Sequence, residues 1–271
     1  MPKIYSANIK NFLERLGLLQ YSTALIYYIY NLSEMMASEK TITIQDTSAR
    51  FYRETGPEFA QLFNLSGERK VIEDILSNLN EGDVFYDVGA NIGLYTCLVS
   101  SKFPKVNTIA FEPLDSNFRR LSQNCMLNNL ENVKIIEKAV GDYDGKTELF
   151  IDPEFGDTPG SGRNSLLADS EHKMETQVDV VSVDSILREN RKPTVLKIDV
   201  EGKELEVVDL FKGILKEDRF RRVYVEFHPR KESTRNTDRE KIAHIIEEAG
   251  LETKWIEDEG KAHPYLCGYR D

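Results

Sequence analysis

Cysteine is scarce in this chain. Only Cys97, Cys125 and Cys267 occur, far apart, odd in number and without a CxxC pair. A disulfide framework and a structural zinc site are therefore not expected, and three small buried thiols in a reducing compartment are. Positive charge is also short: 35 Lys and Arg stand against 46 Asp and Glu, a formal net charge of -11. Nucleic-acid binding draws on Lys and Arg displacing counterions, so no nucleic-acid partner is expected. The cluster Arg219, Arg221 and Arg222 reads as a solvated face. No apolar run reaches the ~18 residues that span a bilayer. The nearest, ALIYYIYNL at 24–32, has no small-residue cleavage site after it. Neither a membrane span nor a signal peptide is expected, and the expected location is cytoplasmic. Internal repeats and low-complexity tracts are absent.

The first 36 residues carry an apolar face at helical spacing, through Ile9, Phe12, Leu13, Leu16 and Leu19. Such a face can cover the main domain, meet a second copy of the chain as a homo-oligomer, or make peripheral membrane contact through 9–32. TITIQDTSARFYRE at 41–54 reads as a hairpin, and residues 66–79 as a helix burying Val71, Ile72, Ile75, Leu76 and Leu79. Residues 1–65 form a helical and hairpin extension, and 66–271 the main domain.

From residue 84 strands alternate with helices: VFYDVGA and GLYTCLVSSKF, NTIAFEP and SNFRRLSQNCMLNN, VKIIEKAVG, VLKIDVEG and KELEVVDLFKGIL, RRVYVEFHP and REKIAHIIEEAG. The tail adds two strands around EDEG, read as an antiparallel edge pair. This rhythm predicts an α/β fold with a doubly wound, mostly parallel sheet, Rossmann-like, covered on both faces. One insertion breaks it between 142 and 184. There Asp144-Gly145 is a hairpin signal, and a piece rich in Gly, Pro, Asp and Ser reads as a loop.

In such a sheet ligands bind beyond the carboxyl ends of the strands. Gly89 and Gly93 in DVGANIG leave room for a close approach, and the following helix offers free N–H groups. The spacing matches neither G-x-G-x-x-G nor a P-loop. Asp87 would repel a pyrophosphate and suit an ammonium group. Glu112 falls 19 residues after Gly93, where an acid can accept bonds from both ribose hydroxyls. Asp142, after the third strand, could receive an adenine amino group. Ribose, an amine and no phosphate together describe S-adenosylmethionine.

DVGANIGLYT (87–96), FEPLDSNFRRLSQN (111–124), AVGDYDG (139–145), NSL (164–166) and LKIDVEGKE (196–204) together resemble the FkbM family of methyltransferases, over about residues 66–229. The resemblance implies a class I methyltransferase fold with strand order 3-2-1-4-5-7-6 and S-adenosylmethionine as methyl donor. It places donor contacts at Asp87, Gly89, Ala90, Asn91, Gly93, Thr96, Glu112, Asn117 and Asp142. Members of that family commonly methylate hydroxyls on sugars, glycans or secondary metabolites, so such a hydroxyl is the expected acceptor, although the resemblance itself gives the reaction class and not the acceptor.

An alcohol keeps its proton until late in transfer, so a base helps. Asp199 and Glu201 in KIDVEG and His228 in EFHP are the candidate catalytic residues, with His228 able to act near neutral pH. Ser165, in the loop, is the candidate acceptor contact and part of a closing lid. Asp199 with Glu226 or His228 could hold a divalent cation, although no metal site is predicted. NPP followed by Tyr or Phe, used by amino-group methyltransferases, is absent. Methylation of a protein or RNA nitrogen, and a donor-binding module without transfer chemistry, stay open as alternatives.

Overall fold

The computed structural model describes residues 38–151, 156–161, 174–228, 235–257 and 264–270. The helix expected within 1–36 and the loop around Ser165 lie outside these residues.

The chain opens with the expected hairpin, β1 (Glu39–Ile44) and β2 (Thr47–Tyr52), paired antiparallel. Its alternation buries Ile42, Ile44, Ala49 and Phe51. Helix α1 (Gly56–Asn64) starts at a capping box in which Thr55 and Glu58 satisfy each other's backbone N–H groups, with Pro57 in the first turn. A short 3-10 turn leads to α2 (Arg69–Asn78), whose buried stripe is Val71, Ile72, Ile75 and Leu76.

The alternating elements follow: β3 (Val84–Val88), α3 (Leu94–Lys102), β4 (Asn107–Phe111), α4 (Asp115–Leu127), β5 (Val133–Ile136), β6 (Ala139–Gly141), β7 (Gly145–Ile151), β8 (Met174–Ser182), α5 (Val183–Glu189), β9 (Val195–Ile198), α6 (Glu204–Leu215), β10 (Arg222–Glu226), α7 (Arg235–Glu248), β11 (Glu252–Ile256) and β12 (Tyr265–Tyr269). Seven strands form one sheet in the order β11-β12-β10-β9-β3-β4-β5. Counted along the sheet's own strands this is 3-2-1-4-5-7-6. Strands β5, β4, β3, β9 and β10 run parallel, and β12 inserts antiparallel between β10 and β11.

Both faces of the sheet are covered, and the pleat sorts the strand residues between them. Phe85 joins the apolar cluster with the hairpin, α2 and α3, while Val84, Tyr86 and Val88 join the cluster with α6 and α7. Helix α3 is buried on nearly every side, because the sheet lies below it and the hairpin and α2 lie above. The hairpin is also tied to α4: the Arg50 N–H donates to Asn128 Oδ1 at 2.8 Å and the Tyr52 N–H to Asn124 Oδ1 at 2.9 Å. The arginine cluster has structural partners, since Arg221 pairs with Asp83 and Arg222 lies over the Tyr269 ring.

Two local expectations need correction. VKIIEKAVG is two strands, because β6 leaves the main sheet and pairs in parallel with β8. Asp144-Gly145 is not a hairpin turn between neighbours, because β8 sits between β6 and β7. The Asp144 carboxylate instead accepts hydrogen bonds from the Ser182 N–H and the Ser185 hydroxyl, at 2.8 and 2.6 Å, and holds the start of α5.

Candidate functional site

The glycine turn after β3 is drawn in by its neighbours. The N–H groups of Gly89 and Ala90 donate to the Phe111 carbonyl at 3.0 and 2.9 Å. Gly89, Asn91 and Gly93 all have positive φ, at 78°, 51° and 89°. A Cβ on Gly89 would collide with the carbonyl oxygen of Asp199, and one on Gly93 with the Leu121 side chain. The space these glycines clear is therefore taken by protein: the end of β9 in one case and the packing of α3 on α4 in the other. The turn leaves its other side open.

That side opens into a cavity of about 700 Å³, in the size range of small-molecule sites. Gly89, Ala90, Asn91, Glu112 and Asn117 line it. Glu112 is buried, and its two oxygens accept from the Asn91 N–H at 2.8 Å and the Leu114 N–H at 3.0 Å. Burial nonetheless pushes its carboxyl up to about 7, against the pull of these bonds. Asn91 Oδ1 is buried without a hydrogen-bond partner. The Asn117 side chain accepts from the Gly160 N–H at 2.9 Å and donates to the Ser161 carbonyl at 3.3 Å, so it braces the far wall.

Four of the sequence-predicted donor contacts sit away from the cavity surface. Asp87 is fully buried behind it, held by the Thr96 hydroxyl at 2.7 Å and the Lys197 ammonium at 3.2 Å. Thr96 and Gly93 act through this packing. Asp142 is exposed in the turn after β6 and does not line the cavity.

The inner end of the cavity gathers charge. Lys197 lies on β9, in register with Asp87 on β3. Its ammonium group donates to the Gly89 carbonyl at 2.8 Å, pairs with Asp199 at 3.3 Å, and stands 5.0 Å from the Tyr95 ring centre. Burial alone would lower its pKa, but Asp87 and Asp199 raise it above the ordinary lysine value. Asp199, Glu201, Glu226 and His228 converge on the same end, joined by Glu68 from the start of α2.

His228 Nδ1 lies 2.8 Å from Glu204 Oε1, and its Nε2 lies 3.4 Å from Glu226 and 3.6 Å from Glu201. Burial would lower its pKa, but the bonds to Glu204 and Glu226 raise it well above the usual value. Asp199 is pushed up to about 7 by burial and by Glu226, and Glu201 up to about 8 by burial. The Tyr265 hydroxyl donates to Glu226 at 2.7 Å and takes the Tyr95 hydroxyl at 3.2 Å, closing the floor. Asp199, Glu226 and His228 bring one ligand atom each within 4.8 Å of one another, a donor set suited to a divalent cation.

Sequence reasoning missed Lys197 and Glu68 as members of this site. Lys197 leaves a visible trace, a lone cation inside the apolar strand VLKI. Glu68 leaves none, since it reaches the cavity only through the packing of α2.

The methyltransferase FkbM domain family matches residues 87–252. The chain is 30% identical to the hexuronic acid methyltransferase AglP of Haloferax volcanii, over 76% of this chain and 79% of that one. It is 29% identical to methyltransferase 1 of Beauveria bassiana, over 45% of this chain and 55% of the other. Among solved structures, the methyltransferase FkbM of Methylobacillus flagellatus shares 16% identity, with a TM-score of 0.49 over 72% of this chain and 45% of that one.

Proposed function

Because the chain belongs to the FkbM methyltransferase family, we propose that it methylates a hydroxyl oxygen of a sugar, glycan or secondary metabolite, with S-adenosylmethionine as donor. Glu112 and the turn at Gly89, Ala90 and Asn91 would hold the donor. The spare lone pairs of the Glu112 carboxylate face the cavity and can accept from ribose hydroxyls, while Asn91 Oδ1 has the unused acceptor capacity a bound ligand would fill. The carboxyl oxygens at the inner end can lie beside a sulfonium, and the donor supplies a methyl group already activated by that charge.

The acceptor half has two tasks, to hold the oxygen in line and to take its proton. The observation that carries the hydroxyl reading is the set of carboxyls Asp199, Glu201 and Glu226 at the inner end, with Asp199 poised at about 7. A base there serves an alcohol. Asp199 is the proton acceptor in this reading, Glu201 its neighbour in reserve, and the His228 ring anchors Glu226 and Glu204. The sugar-acting relative in Haloferax volcanii favours a sugar acceptor.

Calorimetry with S-adenosylmethionine, NAD and ATP tests the donor, and binding of the first alone is expected. Incubation with labelled donor and fractionated extract tests the acceptor. Label in polysaccharide or lipid-linked sugar is expected, and label confined to RNA or protein would overturn the reading.

A further inference from the structure

The family match begins at residue 87, yet helix α1 is built into the site. Gly56, Pro57, Ala60 and Gln61 line the cavity. The Thr55 hydroxyl donates to the Pro159 carbonyl at 2.8 Å, and Arg120 pairs with Glu58 at 2.6 Å and with Glu54 at 2.7 Å. Gly160 packs so closely that a Cβ there would fall 2.7 Å from the Glu58 nitrogen. The inward side of the helix buries Leu62, with Leu65 just beyond its end.

The outward side is apolar too. Gly56, Phe59, Ala60 and Phe63 recur at i, i+3, i+4 and i+7, which sets them in one stripe. Gly56 and Ala60 are exposed, and Phe59 is half-buried. Phe63 is 64% exposed, and its ring stacks on Phe59 with centres 5.4 Å apart. A helix that is apolar on both sides is ordinarily covered on both.

The point where residues 1–37 join the described chain indicates the cover. The Arg53 N–H donates to the Ser38 carbonyl at 2.7 Å, and the Arg53 guanidinium lies over the Phe59 ring, 5.4 Å from its centre. Ser38 therefore stands close to the stripe. Upstream of it lies the uncharged run ALIYYIYNL at 24–32, in which Leu25, Ile29 and Leu32 recur at helical spacing. The residues between Leu32 and Ser38 can reach up to about 20 Å, and the stripe is about 10 Å long.

We propose that the run 24–32 docks on the outward stripe of α1 in the same chain. Three arguments select this occupant. Attachment through a short linker gives the run an effective concentration in the millimolar range, which a separate molecule does not reach. The run is uncharged, so it buries no charge against the two phenylalanines. A chain of net charge -11 is repelled by an anionic lipid surface. Gly56 and Ala60 belong both to the stripe and to the cavity lining, so the docked run would stand at the cavity's rim. This docking goes beyond the methyltransferase reading and does not depend on it.

The test is amide hydrogen exchange of the full chain, read by mass spectrometry. Amides in 24–32 should exchange at least about tenfold more slowly than in a free peptide of the same sequence. Phe63→Asp, at an exposed position, and Ile29→Asp, in the run itself, should each remove that protection. Trp255→Ala, exposed on the edge strand β11, should leave it unchanged. Exchange of 24–32 at the free-peptide rate in wild type overturns the docking. Protection that survives Phe63→Asp or Ile29→Asp, or that Trp255→Ala removes, overturns it as well. Protection lost on dilution, as light scattering shows a dimer dissociating, would assign the stripe to a second copy. Protection gained only with vesicles of phosphatidylcholine and phosphatidylglycerol would assign it to a lipid surface. Either of these results also overturns the proposal.

Discussion

Gly89 and Asp199 meet where β3 and β9 end: the Cβ that Gly89 lacks would fall inside the carbonyl oxygen of Asp199. This contact ties the proposed donor turn to the strand that leads into the proposed base. The turn can therefore hold the sheet's central strands in step as well as receive a ligand.

Gly89→Ala should accordingly be costly. The substitution combines a positive φ with an overlap against backbone, which has little room to shift. A loss of roughly 2–4 kcal/mol is expected from strain and overpacking together. Gly56→Ala, with open space around it and no positive φ, is the control and should be near neutral. Urea unfolding of both variants checks the contrast.

Lys197 is the cation that makes a buried Asp87 tolerable, since their side chains are 2% and 0% exposed. Lys197→Met leaves Asp87 without its ammonium partner and should cost roughly 3–5 kcal/mol, the usual penalty for breaking a buried pair. Pairing it with Asp87→Asn should recover part of the loss. A double-mutant cycle on unfolding free energies measures the coupling.

Glu112→Gln keeps the size of the side chain but replaces one acceptor oxygen with a donor. It should weaken S-adenosylmethionine binding by about tenfold or more, through the ribose bonds and the lost Asn91 or Leu114 contact. Calorimetry reads this directly. Unaltered affinity would remove Glu112 from the donor site.

The raised carboxyls predict opposite pH trends for rate and stability. With Asp199 as base, kcat/KM should rise with pH and level above about 7. Asp199→Asn should lose that limb and roughly 10²–10⁴-fold in rate. In the ligand-free protein, Glu112, Asp199 and Glu201 hold protons up to about 7, 7 and 8, whereas the unfolded chain releases them near ordinary carboxyl values. Between those limits the native state binds more protons than the unfolded state, so stability should fall as pH rises from about 4 toward 8. His228 adds to the same slope above about 6.5, because its raised pKa favours the folded state only while the ring is protonated. Denaturant midpoints across this range, with and without donor, test the sign.

Local pattern was enough to determine the alternation of strands and helices, the hairpin at 41–54, the buried stripe of α2, and the placing of Glu112, Asp199, Glu201 and His228 at strand ends. Each of these rests on periodicity or on neighbours in the chain, which a linear reading can follow. Tertiary structure alone decided what fills the space beside Gly89 and Gly93, that Asp87 serves Lys197 from behind the cavity, and that Asp142 stays outside it. It also brought Glu68 and α1 to a site whose motifs begin at residue 87. The physical reason is that these facts depend on the register between β3 and β9 and on the packing of α1 against α4 and Gly160. Those contacts join residues distant along the chain, and no spacing within it encodes them.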